Sequence, residues 1–271
     1  MDLSTAFQAF LLGIVEGITE FLPISSTGHL ILVQDMLGFQ GPAGELFPIV
    51  IQLGAILAVC WLYRVKLINT VLTLQRNSGA QRFTFNILIA FLPSAVIGVL
   101  AYKFIKQALF SPLVVAIALI VGGIAILIIE RLPSVTAPKV RYETIEAIPY
   151  SRALAIGFFQ CISMIPGTSR AAATIMGAML VGVSREAAAE FSFMLAIPTM
   201  LGATVYDTYK NRATLSLEGM EIIAMGFVTA FIVALFVIRW MIGYVSRHGF
   251  APFAYYRIVL GALMLGLLLL R

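Results

Sequence analysis

Charged residues are scarce in this sequence: Asp, Glu, Lys and Arg make up 11% of its 271 residues, where a soluble domain carries about 25%. That scarcity excludes an ordinary water-soluble domain, whose surface needs those charges. A long polar linker is also missing. The length would suit one or two domains, but nothing separates two, and the chain reads as one integral membrane domain. Cysteine is nearly absent. Cys60 and Cys161 both lie inside apolar runs and read as small packing residues, not a disulfide or a metal pair. The N-terminus lacks a basic stretch, Asp2 being its only early charge, so no cleavable signal peptide is expected.

Apolar residues fill the space that charge leaves. They are 61% of the chain, and the mean hydropathy is +0.99. No soluble core needs so much apolar surface, so lipid is the solvent for much of it. A net charge of +5 would suggest nucleic acid in a soluble protein. Here the basic residues fall mostly in short loops between apolar runs, which is a topology signal, and no nucleic-acid partner is expected.

Runs of spanning length lie at 46–63, 84–102, 113–130, 190–206, 220–240 and 252–270, each close to the roughly 20 residues that cross a bilayer. Two more apolar stretches, 5–37 and 152–182, are broken in the middle, by Pro23-Ile24-Ser25-Ser26-Thr27-Gly28-His29 and by Pro166-Gly167-Thr168-Ser169-Arg170. Pro, Gly and hydroxyl residues end one helix and cap the next. Each half is too short to span, as in a re-entrant hairpin. The pattern repeats. Leu12 to Glu16 lines up with Ile156 to Gln160, Pro23-Ile24-Ser25-Ser26 with Pro166-Gly167-Thr168-Ser169, and Phe110 to Leu113 with Phe250 to Phe253. The expected fold is therefore an all-α polytopic membrane protein, six transmembrane helices plus two re-entrant helical hairpins in an inverted-topology repeat. Residues 1–135 form the first copy and 150–271 the second. Running the first full span inward gathers basic residues from Arg64 to Arg247 in the cytoplasm and leaves only Lys103, Lys106, Lys210, Arg212 and Arg271 outside. The basic excess favours this orientation. It puts the N-terminus, 103–112 and 207–219 outside, 64–83 and 131–152 in the cytoplasm, and the two hairpin tips at the midplane.

The tips carry most of the chemistry. Glu16 and Glu20 are four apart and share one helix face. Ser25 or Ser26 starts a new half-helix, and the His29 ring can reach back to that turn. The second tip adds Thr168, Ser169 and Arg170, with Gln160 in the place of Glu16. Three charges at mid-bilayer would cost on the order of 8–10 kcal/mol, more than a structural ion pair warrants. Fresh helix N-termini bind anions, and Arg offers a planar fork to phosphate oxygens. Paired Glu with no Cys or second His nearby suit a hard cation, Mg2+ or Ca2+. A Ser beside a His is a nucleophile and base in outline.

Together Glu16-x-x-x-Glu20, Pro23-x-Ser25-Ser26-Thr27-Gly28-His29, Pro166-Gly167-Thr168-Ser169-Arg170-x-x-x-Thr174 and Glu190-Phe191-Ser192-Phe193-Met194-Leu195-Ala196-Ile197-Pro198 resemble the undecaprenyl-diphosphate phosphatases of bacteria, the bacitracin-resistance family. The resemblance covers nearly the whole chain. It implies a metal-dependent enzyme of the inner membrane, a homodimer, that hydrolyses undecaprenyl diphosphate at a site opening to the outer face and so recycles a cell-wall lipid carrier. One position departs: the family commonly has Ser after the Arg of the second motif, and this chain has Ala171. No essential role then falls to that hydroxyl. In the expected mechanism Ser26 attacks the terminal phosphorus and His29 takes its proton. Arg170 and a divalent metal on Glu16 and Glu20 stabilise the phosphoryl group, while Ser25, Thr27, Gly167, Thr168 and Ser169 bind substrate. Direct attack by His29 is the rival chemistry. Transport or flipping of an anion or lipid head group is the rival function. Elsewhere Gln52 and Asp207 lie in or beside spans, with Asp207 expected at an interface. Arg257 is expected to snorkel or to pair structurally. Trp61, Trp240, Tyr255 and Tyr256 are expected as interfacial anchors, and 76–82 as a solvated loop.

Overall fold

The computed structural model describes residues 3–39, 46–105, 109, 111–137, 141–210 and 219–270. Most of the expected outer loops, together with Phe110, Lys106, Lys139, Arg212, Arg271 and the side chains of Lys103 and Lys210, lie outside the described residues. Among the described residues twelve α-helices follow one another: α1 (Leu3–Thr19), α2 (Ser26–Leu37), α3 (Leu46–Leu62), α4 (Arg64–Thr73), α5 (Ser78–Phe104), α6 (Pro112–Arg131), α7 (Pro133–Thr136), α8 (Tyr150–Ile162), α9 (Arg170–Leu180), α10 (Arg185–Lys210), α11 (Met220–His248) and α12 (Ala251–Leu270). Among the described residues the only strand-like pairing is one bridge, Tyr142 to Val183.

Among the described residues five helices, α5, α6, α10, α11 and α12, are long and apolar enough to cross a membrane. The expected sixth span differs. α3 is 17 residues long, and the chain bends by 69° into α4, so a sixth span exists only if this bent pair counts as one. None of the α4 residues is buried. The expected loop 76–82 is shorter than expected, since Ser78 to Arg82 already form the first turn of α5.

The two expected breaks are present between α1 and α2 and between α8 and α9. Close packing holds those short helices. α1 lies on α11 and α8 on α5, while α6 packs on α12 and α3 on α10. A Cβ added to Gly13 would meet the carbonyl oxygen of Gly226, and one added to Gly157 would meet that of Ala90. Glycine lets backbones approach where a larger residue would hold the helices apart.

At the tips the structure corrects the register of the repeat. Ser25 has φ 72° and Ser169 φ 73°, the only non-glycine residues with positive φ among those described. Each immediately precedes its half-helix. Ser25 therefore matches Ser169, and Ser26 matches Arg170, by the same offset that relates Glu16 to Gln160. Aligning the prolines shifted this pairing by one residue, because Pro23 and Pro166 hold different places in their turns. Of the two alternatives expected for Arg257, snorkelling is excluded: the residue is fully buried, and its guanidinium donates to backbone carbonyls beside both tips.

Candidate active site

The α1 helix ends at Thr19, but the Glu20 N–H still donates to the Glu16 carbonyl at 3.0 Å. The helical spacing therefore persists through Glu20, and both carboxylates face inward, 1% and 5% exposed. The chain then turns through Pro23 and starts α2 at Ser26. This brings the Ser26 hydroxyl back onto Glu20, where it donates to Oε2 at 2.6 Å. From the second break, Arg170 is the first residue of α9. Its Nη2 donates to the other oxygen of Glu20, Oε1, at 3.1 Å. Glu20 thus bridges the two breaks: a hydroxyl from one and a guanidinium from the other share its carboxylate.

Arg170 is further oriented by α10. Its Nη1 donates to the carbonyl oxygen of Ser192 at 2.8 Å and to the Ser192 hydroxyl at 3.1 Å. Thr174 hydrogen-bonds the same hydroxyl at 2.7 Å. The guanidinium lies 5.7 Å from the centre of the Phe21 ring, which itself packs edge-on against Phe193. The Nε of Arg170 is buried and has no hydrogen-bond partner. A guanidinium held on two sides with a donor unused can take a phosphate oxygen.

His29 is not joined to either serine hydroxyl. Its Nδ1 is 2.7 Å from the Ser25 carbonyl. A carbonyl only accepts, so Nδ1 carries the proton. Its Nε2 is 2.7 Å from the Tyr256 hydroxyl, which donates to it when the ring is neutral. The two rings stack with centroids 5.5 Å apart. The sequence paired His29 with Ser26 as its proton acceptor; in the structure the Ser26 hydroxyl hydrogen-bonds Glu20. Tyr256 is correspondingly more than an interfacial anchor.

These groups close one end of a cavity of about 940 Å3. Glu20, Ser25, Ser26, Thr27, Gly167, Ser169 and Arg170 line its polar end, and Phe91, Ala95, Val99, Met164, Met200, Leu201 and Val205 line apolar walls. Gln52 and Asp207 line it too, whereas Glu16, His29 and Thr168 do not. The polar end takes a charged head group and the walls take an apolar chain. The two half-helix starts differ. The Ser169 hydroxyl accepts from the Ala172 N–H at 3.2 Å and so caps α9, while the Ser25 side chain makes no such bond and leaves α2 uncapped. The first-turn amides of α2 are therefore available to an anion.

A cation fits on one observation. Both carboxyl oxygens of Glu16 are buried and meet no N–H or hydroxyl donor, and the neighbouring group is the Glu20 carboxylate. The counterpart of Glu16, Gln160, is fully bonded, donating to Ser94 at 2.5 Å and accepting from Thr199 at 3.2 Å. Among the described residues no group of three or more His, Cys, Asp or Glu forms a metal cage. The protein offers two carboxylates, and the remaining ligands of a hard cation would be substrate oxygens or water.

Sequence reasoning missed Ser192, the Ser94–Gln160–Thr199 chain and Tyr256. A hydroxyl within an apolar run, as in Glu190-Phe191-Ser192, was the available signal.

The description "Bacitracin resistance protein BacA" belongs to the family model that matches residues 9–263. A protein of Paramagnetospirillum magneticum called undecaprenyl-diphosphatase 2 is 58% identical over 97% of this chain and 99% of its own length. The undecaprenyl-diphosphatase of Nitrosospira multiformis is 54% identical over 98% and 96%, and undecaprenyl-diphosphatase 3 of Acinetobacter baylyi is 53% identical over 97% and 98%. With several membrane-length helices and a family match over most of its length, the chain is a multi-pass membrane protein that belongs to the bacitracin resistance protein BacA family.

Proposed function

We propose that the chain hydrolyses undecaprenyl diphosphate to undecaprenyl phosphate and inorganic phosphate, the activity its relatives are named for. The observation that carries this reading is the Glu20 carboxylate, shared between the Ser26 hydroxyl and Arg170 at the polar end of a lipid-sized cavity. Ser26 Oγ attacks the terminal phosphorus, and Glu20 takes its proton. The bond from phosphorus to the bridging oxygen breaks, and undecaprenyl phosphate leaves. Water then attacks the phosphoserine and releases phosphate, restoring the Ser26 hydroxyl. Arg170 Nε and the uncapped amides of α2 hold the charge on the transferring group. Thr27, Gly167 and Ser169 complete the polar end. Thr168 contributes through its backbone, and His29 holds the Ser25 carbonyl and with it the start of α2. Direct attack by His29 is disfavoured, since both ring nitrogens are hydrogen-bonded and the ring does not line the cavity.

Glu16 and Glu20 would hold a divalent cation, Mg2+ or Ca2+, whose charge would offset that of the diphosphate.

The same reading makes 1–135 and 150–271 inverted copies, each a re-entrant hairpin plus three spans. It sets the tips at the midplane of the bacterial inner membrane, with the cavity open to the outer face and the chain as a homodimer. Support for the inversion comes from the matched positive-φ serines and from the paired packing of α1 on α11 and α8 on α5. Support for setting the stretches 64–83 and 131–152 on one side comes from Lys66, which pairs with Glu146 at 3.2 Å and Glu190 at 3.1 Å. That cluster gathers both stretches at one end of the bundle.

The decisive experiment is reconstitution in proteoliposomes with undecaprenyl diphosphate labelled on its terminal phosphate. Phosphate release is expected, with acid-stable label on Ser26 after rapid quenching. Movement of the lipid between leaflets without release would support transport instead, a reading that leaves the Ser26–Glu20 bond without a use.

A further inference from the structure

Arg257 lies within α12, fully buried. Among the described residues no carboxylate pairs with it, although a buried guanidinium is costly in a membrane. Five backbone carbonyls surround it instead. Nη1 donates to Pro23 at 3.0 Å and to Thr168 at 2.8 Å. Nη2 donates to Gly167 at 3.0 Å and to Ala118 at 3.1 Å, and Nε to Leu119 at 3.4 Å. A guanidinium has five N–H groups, so every one is used. The acceptors are not a random set. Pro23 and Gly167 hold matching places in the two breaks, each three residues before the side chain that reaches Glu20: Ser26 from one, Arg170 from the other. Ala118 and Leu119 belong to α6, which packs against both α12 and α9. Room for the guanidinium comes from Gly122 of α6, where an added Cβ would collide with Arg257 Nη2.

The backbone geometry carries this further. In a trans peptide the C=O and the following N–H point in opposite directions. Turning the Thr168 carbonyl onto Arg257 therefore turns the Ser169 N–H away from it, and Ser169 lines the cavity. A cation with no carboxylate to neutralise it also adds to the field that attracts an anion at both half-helix starts.

We propose that Arg257 is a positioning residue for phosphoryl transfer: it clamps the two breaks in register so that Ser26 and Arg170 meet across Glu20, and its charge reinforces anion binding there. This rests on the phosphatase reading above. Ammonium has three donors on a point charge, so Arg257→Lys cannot hold five carbonyls on three segments. In nanodiscs, Arg257→Lys is expected to lower kcat at least thirtyfold, about 2 kcal/mol, with KM within threefold of wild type and thermal stability largely kept. Gly122→Ala, which displaces the guanidinium without removing it, should lower kcat in the same sense. Paired spin labels at Thr27 and Thr168 give a readout independent of turnover: Arg257→Lys should broaden the distance between the tips. If Arg257→Lys does not fold, Gly122→Ala carries the same test. A folded variant with unchanged kcat, or with a loss confined to KM, overturns the proposal. Wild-type protein that releases no phosphate sinks the phosphatase reading alone; the spin-label distances then decide whether the clamp exists, and an unchanged distribution overturns it.

Discussion

The two helix breaks share a backbone but differ in how completely their polar groups are used. Each begins its half-helix after a serine in the left-handed region, near 72°. At the second break Ser169 caps α9 and Gln160 has partners for both ends of its amide, with Arg170 Nε left as an unused donor. At the first break α2 is uncapped, and the Glu16 carboxylate is buried beside that of Glu20 with no N–H or hydroxyl donor. An unmet buried polar group is unfavourable by about 1–3 kcal/mol, and at the Glu16 carboxylate a ligand would offset that cost. The difference teaches that one break can serve as chemistry and the other as support. The supporting break sends a single side chain, Arg170, across to its partner.

This contrast can be broken in graded steps. The largest effect is expected from Ser26→Ala, which removes the attacking oxygen; phosphate release should fall to near background while the protein stays folded. Substantial turnover would remove Ser26 from the covalent step. Next, Arg170→Lys keeps the charge but loses the fork that binds Glu20 and Ser192 together, and turnover should drop on the order of a hundredfold. Glu16→Gln makes the first break resemble the second. It should raise the concentration of Mg2+ or Ca2+ needed for half activity by roughly tenfold, and chelation should silence the unmodified protein. Full activity in excess chelator would end the cation proposal. Ser192→Ala loses one hydroxyl acceptor while its carbonyl still holds Arg170, so a loss of about 1 kcal/mol, or roughly fivefold in rate, is expected. Smallest of all, Ser169→Ala removes a cap. It should lower stability by about 1 kcal/mol and leave turnover within about threefold. A Ser169→Ala effect as large as that of Ser26→Ala would erase the distinction between the breaks.

Much of the site could be read without a structure, for local reasons. Pro, Gly and hydroxyl residues interrupt helices through near-neighbour sterics and hydrogen bonding, so both breaks were legible. Four-residue spacing alone put Glu16 and Glu20 on one face. Proline matching misread the repeat by one residue, because the helix start is marked by the φ of Ser25 and Ser169, which no residue type announces. The end of α3 was also illegible: the apolar run continues to Tyr63 while the backbone turns there.

The sequence by itself determined an all-helical membrane chain, its two broken segments and the polar residues they carry. These follow from composition and from interactions within a few residues along the chain. Only the tertiary structure decided which side chain the Ser26 hydroxyl meets, what holds Arg170 and why Arg257 is buried. The Arg170–Glu20 and Arg257–Pro23 contacts join residues 150 and 234 positions apart. They exist because α1 and α8 dock on different long helices and bring two distant turns face to face, and no local pattern encodes that meeting.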